Sequence, residues 1–173
     1  MLLRRSLHSY WRATRVLCSS RRSITDGAAS LRSLNEDIQT LANMHRVYEE
    51  NEEKQAAVKE ASHALASTIS STGSVFTTGV GKAGVVAQRF AKSLCSISVP
   101  TQWVHGSEWV HGDLGNIQAH DVVVVISNSG KSQELLDAVA LLPSRGAQII
   151  SVVGDIHSPV TFVLFFLCKA CQV

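Results

Sequence analysis

Three short stretches of the chain hold the residue types that could do chemistry. In "HGSEWVHGDLG", residues 105–115, His105, Glu108 and His111 stand at three-residue intervals, and nitrogen and carboxylate donors so placed invite a metal reading. The order is not that of HExxH on a helix, and Gly106 and Gly112 break any regular helix through the stretch. A polar turn, or one in which imidazoles face sugar hydroxyls, is equally compatible with the residues.

The second stretch, "TTGVGKAG", holds Gly79, Gly81 and Gly84 in GxGxxG spacing after an apolar run and at the start of a helical pattern. Glycines there let backbone N–H groups approach an anion at a helix N-terminus. A dinucleotide fingerprint needs an acid about twenty residues further on for the ribose hydroxyl, and no Asp or Glu occurs from Lys82 to Ser107. A Walker loop fails as well, with Phe76 at the position of its first glycine and Ala83 after the lysine. The loop therefore suits an anion or a sugar hydroxyl. Lys82 at its mouth neutralises a phosphate or stabilises a developing oxyanion, unless it is only a helix-start lysine in water.

The third stretch, "ISNSGKSQE", gathers Ser127, Asn128, Ser129, Gly130 and Ser132 between an all-apolar run and a helical pattern, with Glu134 just beyond. Hydroxyls beside unsatisfied helix N-terminal amides are what a phosphate monoester requires; the plainer reading is a serine-rich helix cap.

The elements that must position these stretches follow from hydrophobic periodicity. Apolar residues at helical spacing run through Ile38, Leu41, Val47, Ala57, Val58, Ala61, Leu65 and Ile69, which predicts one long or two shorter amphipathic helices. The acids from Glu49 to Glu53 mark a solvated face or a break between them. From residue 74 short apolar runs alternate with helical stretches: "SVFTTG", a helix from Lys82 to Ser96, "TQWVH", "DVVVVIS", a helix from Ser132 to Arg145, and "AQIISVVG". That alternation predicts an α/β class, a doubly wound parallel sheet covered on both faces, with ligands at its C-terminal edge. The apolar run from Val160 to Cys168 is too short to cross a bilayer as a helix. Read as a strand it starts too soon after Val153 for a parallel crossover, so it is expected to pair antiparallel, to pack irregularly, or to be a foreign end.

At 173 residues the chain suits one domain of ordinary size. Its net charge of +2 is unevenly placed, because Arg4, Arg5, Arg12, Arg15, Arg21 and Arg22 all precede the first acid, Asp26. The remainder is slightly acidic, which gives nucleic-acid binding little support. The Arg- and Ser-rich, acid-free segment 1–27 has the composition of a mitochondrial transit peptide; without that role the protein would be cytoplasmic. Cys18, Cys95, Cys168 and Cys171 imply no disulfide framework, and the lone CxxC of Cys168 and Cys171 has no second pair to complete a zinc site. No spanning segment and no cofactor are expected.

"FTTGVGKAG", "HGSEWVHGDLG" and "VVVVISNSGKSQE", in that order and spacing, resemble the sugar isomerase (SIS) domain, and within it the arabinose 5-phosphate isomerase family, over roughly residues 35 to 155. The resemblance implies a Rossmann-like three-layer SIS domain over 30–158, followed by a divergent apolar tail over 159–173. It implies an aldose–ketose isomerase acting on a phosphorylated pentose through an enediol, in a homo-oligomer, dimer or tetramer. Such a reaction needs a base, an oxyanion stabiliser and a phosphate anchor. By resemblance Ser127, Asn128, Ser129, Gly130 and Ser132 anchor the phosphate, Lys82 and Glu134 are catalytic, and Gly81, His105, Glu108 and His111 line the sugar site. There the two histidines can capture inhibitory zinc, the sole metal implied.

The chain departs from the family pattern at Ala83, where the family has serine, and at Lys131, where it has an acid. Beyond Ser158 it no longer follows the family, which continues with another glutamate and a histidine in an "SHPGG"-like segment. Catalytic sets work as units, so the 173-residue chain is expected to show weak or no isomerase activity. The alternative is a module that binds a sugar phosphate without turnover. A nicotinamide-dependent oxidoreductase is disfavoured by the missing ribose-binding acid.

Overall fold

The computed structural model describes residues 27–155, 157–163 and 171–172. The basic leader before Gly27 and Cys168 of the CxxC therefore lie outside the described residues. The chain divides into two compact units, Met1–Glu50 and Asn51–Val173.

In the first unit the described residues form helix α1, Gly27–Glu50. Leu31, Leu34, Ile38 and Leu41 recur along it three and four apart, and all are exposed. In the second unit α2, Glu52–Ser70, starts at Asn51, whose Oδ1 accepts the Lys54 amide at 2.9 Å. Two helices rather than one thus precede the sheet, and the break falls inside the acidic cluster, where a side-chain cap stops one helix and starts the next.

β1 (Val75–Gly79), α3 (Lys82–Ser96), β2 (Thr101–His105), β3 (Val122–Ser127), α4 (Gln133–Leu141), β4 (Gln148–Val153), α5 (Pro159–Val163) and β5 (Cys171–Gln172) follow in order. The strands lie β2-β1-β3-β4-β5 and every pairing is parallel. The expected α/β doubly wound class is the one observed.

Alternation along the strands divides the core into two layers. Val75, Val122, Val124 and Ile150 face Ala61, Ala64 and Leu65 of α2 and Phe90 and Leu94 of α3. Phe76, Val123, Val125, Ile149 and Val153 face Leu135, Ala138 and Val139 of α4, together with Trp109 and Val160. The run Val122–Val125 is buried on both faces, which is why it reads as continuous rather than alternating apolar sequence.

The strand reading of the apolar tail does not hold for its described start: residues 159–163 form the short helix α5, and the strand beside β4, Cys171–Gln172, lies beyond the run Val160–Cys168 and pairs parallel. Seventeen residues, 154–170, separate β4 from β5 in the sequence, enough for a parallel return. None of the described helices is long and apolar enough to cross a membrane.

Asp121 closes the sheet edge opposite the loops of interest. It is 5% exposed, its Oδ1 accepts the Ser74 amide at 2.8 Å, and its Oδ2 accepts the Gln118 amide at 2.7 Å. Two charge-assisted bonds to otherwise unpaired amides are at stake. Asp121→Ala is expected to lower unfolding free energy by about 2 kcal/mol in urea titration, and Asp121→Asn by less.

Candidate functional site

The strand order reverses between β1 and β3: the chain runs from β1 outward through α3 to β2, then crosses to β3 and runs outward through α4 to β4. At such a switch point the loops leaving the two central strands diverge and leave a crevice at the C-terminal edge. Here those loops are Val80–Gly81 with the start of α3, and Asn128–Ser132 with the start of α4. His105 ends β2 in register with Gly79, and Ser127 ends β3 in register with Val153. All three chemistry-bearing stretches therefore leave the sheet at one edge.

Close backbone contact fixes the glycine loop. A Cβ on Gly79 would lie 2.9 Å from the Ala83 carbonyl carbon and 2.9 Å from the Ile126 oxygen, so only glycine lets α3 start this near to β3. Gly81 takes φ +60° and caps α3 without a side chain. The first α3 amides, starting at Lys82, have no acceptor within the helix, and the Lys82 side chain is exposed beside them.

The histidine stretch forms two 3-10 turns, Glu108–His111 and Asp113–Asn116, separated by Gly112 at φ +133°. Its anchor is Trp109, to which the sequence alone assigns no role. The indole is 1% exposed, donates from Nε1 to Thr78 Oγ1 at 2.8 Å, and meets the Phe76 ring edge-on with centroids 6.1 Å apart. A lone large aromatic inside a polar, glycine-flanked stretch is the signal that marks it. The Gly106 amide donates to the Gly79 carbonyl at 3.3 Å and ties the same stretch to the glycine loop.

With Trp109 pointing inward, the polar side chains stay outside. His105 Nδ1 lies 2.8 Å from Ser107 Oγ, which donates to Glu108 Oε1 at 3.2 Å. The Ser107 amide also donates to His105 Nδ1 at 3.3 Å, so that ring nitrogen offers an acceptor. Glu108 and His111 are exposed. No group of three or more His, Cys, Asp or Glu among the described residues is placed to hold a metal. His105 and His111 alone remain as zinc donors, too few for a structural site.

In the serine loop Ser127 is buried, and its Oγ accepts the Gly130 amide at 3.0 Å. It shapes the loop and retains one hydroxyl proton to donate. Ser129 Oγ accepts the Lys131 amide at 3.4 Å, and Asn128, Ser129, Lys131 and Glu134 are exposed. Ser132 occupies the N-cap of α4 with extended backbone, yet its hydroxyl makes no capping bond. Ser132 is thus not the side-chain cap of the plainer reading, which would spend its oxygen on the helix. Its uncommitted hydroxyl and the first α4 amides are groups that can receive an anion. Ser132→Ala is expected to weaken phosphate-ester binding about tenfold in calorimetric titration while leaving the melting temperature unchanged.

The end of β2, where a dinucleotide site would place its ribose-binding acid, holds His105. The chemistry the edge supports is recognition of an anion by amides and hydroxyls, with lysine, imidazole and carboxylate groups beside it.

Comparison with known proteins agrees with this chemistry. The SIS domain profile matches residues 68–161, just over half of the chain. Arabinose 5-phosphate isomerase GutQ of Salmonella typhimurium is 37% identical over 87 residues, which are 50% of this chain and 27% of that protein. Arabinose 5-phosphate isomerase KdsD of Pseudomonas aeruginosa is 38% identical over 101 residues, 58% of this chain and 29% of its own length. The chain thus spans less than a third of these curated relatives. An E. coli CFT073 protein solved in complex with arabinose 5-phosphate superposes with a TM-score of 0.57 at 31% identity, covering 80% of this chain and 73% of that one. The chain belongs to the SIS domain family and is homologous to its arabinose 5-phosphate isomerases.

Proposed function

We propose that this SIS domain binds a phosphorylated pentose at the switch-point crevice and derives from aldose–ketose isomerases that interconvert arabinose 5-phosphate and ribulose 5-phosphate. The observation that carries the reading is the convergence of the Gly-Lys loop, the histidine turns and the serine loop on one sheet edge, with the Ser132 hydroxyl left uncommitted. The phosphate takes the amides and hydroxyls of Asn128–Ser132, with Lys131 adding positive charge. The sugar hydroxyls face His105, Glu108 and His111. In the isomerisation a base removes the C2 proton of the aldose while the C1 carbonyl oxygen gains negative charge and takes up a proton; loss of the O2 proton and reprotonation at C1 then yield the ketose, and no external oxidant is needed. Lys82 is the oxyanion stabiliser and Glu134 the proton-transfer group in this reading.

A second reading, binding without turnover, is favoured by Ala83, which leaves the Gly-Lys loop one hydroxyl short of the family pattern. Calorimetry with arabinose 5-phosphate combined with a turnover assay distinguishes the two. Binding with turnover that Lys82→Met abolishes supports the isomerase, binding without turnover supports the module, and no binding at millimolar ligand rejects both.

Assembly into a homo-oligomer belongs to the same proposal and is supported by the exposed apolar side chains Val85 and Val86 on α3. Mitochondrial import is a further part of it, supported by the six arginines ahead of Asp26.

A further inference from the structure

Beyond the phosphate contacts themselves, and resting on the reading of the serine loop as the phosphate site, we infer that the turn after β4 is a strap that aims the loop's amides at the ligand. Ser158 is its positioning residue. The Gly154 amide donates to the Asn128 carbonyl at 3.1 Å, and the Val160 amide donates to the Gly130 carbonyl at 3.1 Å. In a planar trans peptide the N–H points opposite to the C=O of the same unit. Holding those two carbonyls toward the strap therefore turns the Ser129 N–H away from it, on the side open to an anion, and turns the Lys131 N–H toward Ser129 Oγ, which accepts it at 3.4 Å.

Ser158 fixes how closely strap and loop approach. It is fully buried, its amide donates to the Asp155 carbonyl at 3.1 Å, and its Oγ lies 3.0 Å from Thr161 Oγ1. The strap is anchored beyond it by Val160, fully buried in the core layer beneath α4. Gly130 sits at φ +61°, and a Cβ built there would lie 2.2 Å from Ser158 Oγ and 2.4 Å from Ser158 Cβ. The serine thus occupies the space a side chain on Gly130 would need. The next neighbour, Val160 Cβ, is at 3.6 Å, an ordinary contact. Ser158 touches no ligand in this arrangement; it acts through Gly130 and the peptide planes on either side.

The test is amide hydrogen exchange together with binding of two probes, inorganic phosphate and arabinose 5-phosphate, on the full chain. Ser158→Gly removes both contacting atoms. Exchange at the Ser129 and Lys131 amides is expected to change about tenfold, and affinity for both probes to fall by a common factor of about ten, because the sugar end is untouched. A purely structural role predicts a lower melting temperature with unchanged affinity below the transition. Rescue provides the second measurement: the double variant Gly130→Ala with Ser158→Gly is expected to bind phosphate more tightly than Gly130→Ala alone, since the clashing atoms are gone. Wild-type exchange in Ser158→Gly, or a double variant no tighter than Gly130→Ala, overturns the strap. If the native chain binds neither probe while exchange responds as described, the strap stands and the phosphate reading falls.

Discussion

Trp109→Ala is expected to lower the unfolding free energy by about 3–5 kcal/mol, the range for truncating a large buried aromatic. Two effects add. The indole is 1% exposed within the layer that also holds Phe76, Ile117 and Leu135, so its removal leaves a cavity rather than a surface dent. Its N–H also satisfies Thr78 Oγ1 at 2.8 Å, and Thr78 is fully buried. The conservative Trp109→Phe separates the two, keeping most of the packing and losing only the bond, with an expected cost of about 1–3 kcal/mol. Guanidinium unfolding of the three proteins measures both. A functional consequence is expected as well, because Trp109 anchors the turn that carries Glu108 and His111 just after His105. In Trp109→Ala, affinity for the sugar phosphate is expected to fall while affinity for inorganic phosphate, which needs only the serine loop, changes much less.

Gly130→Ala is expected to reverse that pattern and abolish binding of both ligands. A non-glycine residue in the left-handed region costs about 1–2 kcal/mol, and here the added Cβ also meets the Ser158 side chain at 2.2 and 2.4 Å. Overpacking of this kind adds about 1–3 kcal/mol. The chain can avoid the overlap only by moving the loop off the strap, which breaks the Gly130–Val160 bond and turns the Lys131 amide. Thermal denaturation with phosphate titration checks both halves of the prediction: a lower midpoint, and no rise of that midpoint with added phosphate.

Most of the sheet was legible because each strand carries its own signal. The run Val122–Val125 reads as a strand buried on both faces because it is β-branched throughout and followed by a Ser/Gly turn, and Pro143 followed by Gly146 stops the α4 region where the sequence pattern does, through a closing 3-10 turn at Leu142–Arg145. The position of the loops was legible for the same local reason, since the glycines and serines mark strand-to-helix junctions. What stayed hidden depends on partners distant in sequence. Trp109 finds Thr78 across 31 positions and Asp121 finds Ser74 across 47, and no local pattern pairs them. Ser158 lies near the end of the stretch matched by the SIS profile, far in sequence from the serine loop against which it packs. The apolar tail misled because hydrophobicity over a few residues does not separate strand from helix. Residues 159–163 bury Val160 as a helix, and the parallel partner of β4 comes only at Cys171.

A crystal structure of the chain soaked with arabinose 5-phosphate tests the central claim most directly. The phosphate is expected in the crevice between the β1 and β3 loops, with its oxygens about 3 Å from the Ser132 hydroxyl and the amides of Ser129 and Gln133, and with the sugar directed toward His105. A phosphate bound elsewhere on the chain, or a sugar phosphate seated with its sugar end in the serine loop, would contradict it.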